Sequence, residues 1–412
     1  MLKRFPAVCG LACVLFFGSM AAAADWPQWG GPDRDGISPE TGLLKEWPEG
    51  GPKLLWSADG LGHGYSSVTV VDGMIYTTGM LGEKGFFFAL DTDGNLKWKL
   101  EYGPEWRGDH SSARTTPTID GDRAYLMSGL GRAVCIDIDK HEVKWSVDTA
   151  KKFGGRNITW GIAESPLVCG DMVIGTPGGQ DASLVALDKK TGETIWQTKG
   201  LSDRSAYCSP MRIKDDQKDL IVTMTESNIV GVSTEDGAVL WKHPYRGPCQ
   251  AHPNTPLYHK GRIYVTSGYN AGGVALNLAA DGKSVDVAWT DKKLDVHHGG
   301  VVFVDGHLYG ANWLSNNAGN WVCITWDKGE LKYETPWKNK GSLIYADGML
   351  YCYEEGEGTV ALVKATPDEF KVVGSFVVPK GEGKHWAHPV IAGGRLYIRH
   401  GGTLMAYDIK EP

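Results

Sequence analysis

The sequence predicts an all-β fold, an eight-bladed β-propeller of four-stranded antiparallel blades. Three observations predict it: a four-strand pattern that recurs along the chain, two-residue turns at one place within that pattern, and a half-finished last copy. Each copy reads as a polar or aromatic cluster, a short strand, a tight turn, a Tyr-bearing strand, a glycine-rich turn, a strand ending near Ala-Leu-Asp, and a strand carrying Trp. The clearest copies are 67–98, 116–145 and 165–196. Their first turns are Asp72-Gly73, Asp120-Gly121 and Gly170-Asp171; Lys260-Gly261, Asp305-Gly306, Asp347-Gly348 and Gly393-Gly394 continue the series. Such pairs tolerate the positive φ that a two-residue hairpin requires. The fourth copy substitutes a charged loop, Lys214 to Asp219.

Successive copies end on Trp98, Trp145, Trp196, Trp241 and Trp289, with Tyr333 and Phe376 expected at the equivalent places, a spacing of 42 to 51 residues. That period is one propeller blade. The last copy, His388 to Asp408, stops before its Trp strand. Lys53-Leu54-Leu55-Trp56 supplies the missing strand from the other end of the chain, which closes the ring and leaves no open sheet edge. A small residue stands ten positions before several strand aromatics: Ala186, Gly231, Cys135 and Cys323. Cys135 and Cys323 are therefore expected to be core fillers that let an indole pack closely. No helical periodicity marks a separate domain.

The start of the chain predicts export. Lys3 and Arg4 precede an apolar run from Phe5 to Met20 and a small-residue segment, Ala21 to Ala24. This is the anatomy of a cleavable signal at residues 1–24, with lipidation of Cys13 as the alternative. The expected organisation is then an extended segment over 25–46 and the propeller over 47–412, in the periplasm or outside the cell. Removal of the signal leaves 40 basic against 49 acidic residues, a net charge of −9, with no basic run. Nucleic acid is thereby excluded as a partner. The six mature cysteines stand singly, so no c-type haem is attached and a zinc knuckle is not formed. Cys208 and Cys249 are candidates for a bridge between neighbouring blades.

Catalytic motifs are absent: no G-x-S-x-G, P-loop or HExxH occurs. The informative signal is position within the repeat. The segments leading into the innermost strands collect His63, Tyr65, Trp106, Arg107, His110, Arg114, Asn157, Trp160, Glu164, Tyr207, His252, Asn254, His297, His298, His385, Trp386 and His388. Seven of the twelve histidines hold this one place. In a propeller these segments surround one end of the axial channel, where concavity and convergent polar groups make a binding site. The candidate ligand-binding residues are His110, Arg114, Trp160, Glu164, Tyr207, His252, Asn254, His297, His298, Trp386 and His388. The competing account is a channel end that is polar because it is wet. A metal held by His110, His252, His298 and His388 is conceivable chemically, but a wide channel keeps such ligands apart.

The run Ala186-Leu187-Asp188-Lys189-Lys190-Thr191-Gly192-Glu193-Thr194-Ile195-Trp196 resembles the AxDxxTGxxxW blade motif of the pyrroloquinoline-quinone (PQQ) repeat superfamily. That superfamily holds quinoprotein alcohol dehydrogenases and BamB-type outer-membrane assembly lipoproteins, and the resemblance spans about residues 47 to 412. The opening Trp26-Pro27-Gln28-Trp29-Gly30-Gly31-Pro32 with Arg34-Asp35-Gly36 resembles exported bacterial PQQ-like propellers. Two functions follow from the resemblance. One is a binding or scaffold module presenting the channel face to a protein, peptide or glycan. The other is a PQQ- and Ca²⁺-dependent dehydrogenase, with PQQ over Trp160 or Trp386, Arg107 or Arg114 on its carboxylates, and Glu164 near Ca²⁺. A hydrolytic or lyase activity using the histidines is the third. The sequence departs from the dehydrogenases in having no adjacent cysteine pair.

Overall fold

The structure, a computed structural model, describes residues 25–156, 158–180 and 182–412. The residues 1–24 expected to form an export signal, and Asn157, fall outside them. Eight antiparallel sheets follow one another along the chain, each built of four consecutive hairpin-linked strands in all but the last blade. The first blade comprises Thr69–Val71, Met74–Leu81, Lys84–Asp91 and Leu96–Pro104. The eighth comprises Val390–Ala392, Arg395–His400 and Thr403–Asp408, completed by Lys53–Ala58 from near the start. Trp56 lies opposite Ala406 in that sheet, so the two ends of the chain share one blade and the ring is closed. The seventh sheet gains a fifth strand, because Ile37–Ser38 runs parallel to Gly341–Ala346.

Outer-strand aromatics meet small residues across each sheet. Trp145 faces Cys135, Trp196 faces Ala186, Trp241 faces Gly231 and Tyr333 faces Cys323. Both cysteines are free and buried, filling space beneath a ring. Phe376 departs from the expected place: it faces Val360, and Ser375 takes the position opposite Ala361. The ring of Phe376 is instead held by Trp47, 5.5 Å away, and Tyr407, 4.6 Å away.

Each outer-strand indole also reaches the next blade. The Nε1 of Trp56 donates to Thr92 O at 2.8 Å, that of Trp145 to Lys189 O at 3.0 Å and that of Trp196 to Thr234 O at 3.0 Å. Trp241 and Trp289 do the same to Gly282 O and Trp326 O, both at 3.1 Å. The receiving turn must let a flat ring lie against its backbone. Gly192 at φ 74° and Gly237 at φ 73° satisfy this, since a Cβ at Gly237 would stand 2.5 Å from Trp196. Apolar burial is accordingly distributed between blades. One cluster joins Trp196, Ala186 and Ile174 of the third blade to Ile221, Val230 and Val232 of the fourth.

A belt of side-chain hydroxyls ties the inner strands together. Ser67 N donates to Thr116 Oγ1 at 2.9 Å, Thr116 N to Ser165 Oγ at 3.1 Å, and Ser165 N to Ser209 Oγ at 2.9 Å. Ser67 Oγ reaches His388 O at 3.0 Å, linking first and eighth blades. No helix among the described residues is long and apolar enough to cross a membrane.

The indole clasp predicts a coupled pair of substitutions. Trp196→Ala should cost about 3–5 kcal/mol, and Gly237→Ala should be destabilising alone through both its φ and its clash. Denaturant unfolding of the double variant should show a loss well below the sum, because the clash disappears with the ring.

Candidate functional site

The segment before the closing strand shapes the axis. Trp26 exchanges hydrogen bonds with Val70, N to O at 2.7 Å and O from N at 2.9 Å, and Pro27 O accepts from Ile119 N at 2.8 Å. The chain then crosses the centre. The buried Arg34 guanidinium donates to Ser165 O at 3.0 Å, Pro210 O at 2.9 Å, Pro166 O and Thr118 Oγ1, all on inner strands of the second to fourth blades. Its Nε is held by Gln28 Oε1 at 2.8 Å. Burial lowers Arg34 to about 9, opposed by the charges of Glu164 and Cys208. Trp29 reaches across to Thr255 Oγ1 at 3.0 Å and lies 4.5 Å from the His388 ring.

At the end of the channel where inner strands begin lies a cavity of about 390 Å³. Of the eleven residues predicted from the sequence, the structure brings eight into its wall: His110, Arg114, Trp160, Tyr207, His297, His298, Trp386 and His388. The aromatic rings form a continuous lining. Trp386 has Tyr65 at 4.9 Å, His110 at 4.8 Å and His298 at 5.3 Å, and His297 joins His298 at 4.6 Å to Tyr269 at 4.6 Å. Trp160 and Tyr207 lie 5.9 Å apart on the opposite wall, with Trp160 N donating to Tyr207 Oη at 3.2 Å.

Glu164, His252 and Asn254 do not face the cavity. Glu164 is fully buried between strands, where its carboxylate accepts from Thr176 N at 2.7 Å and from Thr176 Oγ1. Burial raises it to about 8, against the opposing pull of Thr176 N and Arg34. Asn254 donates to Thr266 O, Val296 O and His297 O and accepts from Gly300 N at 3.1 Å. His252 packs on Tyr245 at 5.1 Å with its Nε2 3.4 Å from Glu226 O; burial pushes it down to about 4. All three are taken up by partners within and between blades.

Sequence reasoning missed Trp29, Tyr269, Glu355, Lys384, Asn316 and Asn317 as wall residues. Four of them, Tyr269, Asn316, Asn317 and Glu355, come from turns linking second and third strands, in blades five to seven. Length alone does not mark these turns, since the longest such connection, 176–184 in the third blade, gives no wall residue.

Charge in the wall is asymmetric. Glu355 is paired with Lys340 and lies 3.1 Å from His298 Nε2. Burial alone would raise Glu355, but His298 and Lys340 outweigh it and hold it at about 2. Arg114 is clamped by carbonyls, Trp160 O, Asp109 O at 3.1 Å and His110 O at 2.5 Å, and neither it nor Lys384 is in an ion pair among the described residues. Burial lowers His388 to about 4, His297 well below the usual range, and His110 to a lesser degree.

Of the residues expected to hold PQQ and calcium, Trp160, Trp386 and Arg114 line the cavity, whereas Glu164, the calcium ligand, has both oxygens engaged by Thr176, and Arg107 is paired with Glu83 at the surface. No group of three or more His, Cys, Asp or Glu among the described residues could hold a metal ion, which includes the four histidines considered above. Cys208 and Cys249 are both free: Cys208 Sγ points inward to Asn254 O at 3.4 Å, while Cys249 sits on an exposed turn.

The family model described as "Outer membrane protein assembly factor BamB", a PQQ-repeat model, matches residues 42–161 and 89–366. No curated protein matches the chain in sequence. Among solved structures, BamB from Moraxella catarrhalis is similar with a TM-score of 0.63 at 14% identity, over 87% of this chain and 98% of its own. A europium-containing methanol dehydrogenase gives 0.66 at 12% identity, over 92% and 90%. The quinohemoprotein alcohol dehydrogenase from Comamonas testosteroni gives 0.65 at 12% identity, over 94% and 80%. At these identities the likeness is one of fold.

The buried carboxyl gives a pH prediction. Glu164 ionises near 8 in the folded chain and near 4.3 when unfolded. Between those values the folded state holds the extra proton, so stability falls as pH rises. Thermal unfolding from pH 5 to pH 8 should show the wild type losing stability relative to Glu164→Gln, which keeps the neutral hydrogen-bonding pattern. A constant difference across that range would contradict the burial argument.

Proposed function

This chain belongs to the PQQ-repeat propeller family whose model bears the BamB description, and from that premise we propose that it is an exported binding module. Its channel-face cavity captures part of a protein, peptide or glycan, in the periplasm or outside the cell. The observation that carries this reading is the aromatic-lined cavity itself, into which eight separately predicted side chains converge. A wet channel end needs polar groups but not three tryptophans, Trp29, Trp160 and Trp386, around one space. The assembly-factor description of the family adds support, since assembly requires partner binding. The signal expected at residues 1–24 supports export.

The dehydrogenase alternative lacks its metal ligands in this wall, so no oxidation step is derived. The histidines that burial holds neutral serve as hydrogen-bonding groups in the binding reading.

Immobilised glycans and peptides offered to the mature protein should show saturable binding. Trp160→Ala and Trp386→Ala should weaken it by about tenfold or more, the scale of aromatic anchors, with unfolding midpoints reported alongside. Micromolar PQQ with Ca²⁺ should change neither absorbance nor fluorescence. Tight PQQ binding with alcohol-dependent dye reduction would replace the binding reading with the oxidoreductase one.

A further inference from the structure

We propose that the cavity takes the terminal residue of an acidic saccharide, its ring stacked on the aromatic wall and its anionic group held by Arg114 and Lys384. This rests on the binding reading above and narrows its ligand class. The first observation is electrostatic. Apart from histidines and tyrosines, the ionisable wall residues are Arg114, Lys384 and Glu355. Glu355 is already neutralised by Lys340, itself buried. Neither cation is in an ion pair among the described residues, in a chain whose formal charge is −7; the carboxyl that acts on Arg114 is Glu105, which burial raises to about 8. A guanidinium taken out of water beside apolar walls is costly unless an anion meets it. The carbonyls of Trp160, Asp109 and His110 hold Arg114 in place beforehand, so little ordering remains for a ligand to bring about.

The second observation is the placement of charge beside ring faces. Lys384 Nζ stands 6.0 Å from the centre of the Trp386 ring. A ring stacked on this wall brings an anionic substituent within reach of that ammonium. Sugar rings present flat arrays of C–H groups that lie against indole and phenol faces, while their hydroxyls need many small polar partners. Asn316, Asn317, Ser209, Tyr207 and the neutral His297 and His388 supply those around the same space. The third observation is size. A volume of about 390 Å³ accommodates a chain end of one or two sugar units. The anion is a uronate or a sulfate ester, which share the chemistry recognised by a guanidinium.

Titration calorimetry of the mature chain with a glucuronate-ended disaccharide tests this against three comparators: its methyl ester, the neutral glucose-ended counterpart, and a sulfate-ended sugar. The expected result is binding of the uronate at least about tenfold tighter than of ester or neutral sugar, weakened by added salt. Arg114→Gln and the exposed Lys384→Gln should each erase most of that preference. The ester comparison needs no variant to fold. Sulfate-ended binding with the same Arg114 dependence supports the proposal and identifies the anion as a sulfate ester. Equal affinity for acid and ester overturns it. Binding of a peptide but no saccharide, abolished by Trp386→Ala, overturns the saccharide inference and leaves the binding module standing. Failure of every glycan and peptide to bind removes both.

Discussion

The docking of each outer-strand indole onto the next blade is the interaction on which this fold depends. A four-stranded blade has two apolar faces and no means of burying either alone. The indole solves part of this with one side chain. Its ring covers the turn of the following blade, and its N–H satisfies a carbonyl there, as Trp145 does at Lys189 and Trp196 at Thr234. The contact is directional, from each blade to its successor, so it specifies order around the ring as well as adhesion. Trp98 uses a variant, stacking at 4.3 Å on His141, whose φ of 55° places it in the left-handed conformation that glycine takes elsewhere. Because Trp56 belongs to the strand that completes the eighth blade, the last clasp of the circle is also the joint between the chain's two ends.

Inside the ring the constraint is different. Inner strands converge, and their backbone groups must be satisfied in a narrow, partly dry space. Hydroxyls at Thr116, Ser165 and Ser209 do this between blades, and the Asn254 amide does it at the carbonyls of Thr266, Val296 and His297. Arg34 completes the arrangement from the axis by donating to carbonyls of two blades at once. Its N–H donors are the reason that no apolar residue could stand in. Trp29, from the same segment, lines the cavity.

Outer edges are protected by geometry. All eight outermost strand pairings carry a register shift within two residues of the aromatic position, for example between Ala186 and Leu187 and between Gly231 and Val232. A bulge twists an edge away from flat pairing. This matters here because aliphatic residues such as Leu96, Ile195 and Val287 are exposed on those same strands.

Blade number, strand order and the closing pair were determined by the sequence alone. They depend on local turn chemistry and on a repeat period, both of which act within about 50 residues. That the segments leading into the inner strands gather at one end of the ring was legible for a related reason: equivalent positions in a repeat occupy equivalent places on a ring. What only the tertiary structure decided was which of those side chains turn toward the axis. Glu164 and Asn254 share the right region with Arg114 and Trp160, yet their partners, Thr176 for one and the carbonyls of Thr266, Val296 and His297 for the other, hold them away from the cavity. The structure alone also brought Trp29 and Arg34 to the centre from a segment outside the repeat, and set Glu355 against Lys340 and His298. Such contacts join residues tens to hundreds of positions apart, so no local pattern encodes them; the closed ring alone makes them neighbours.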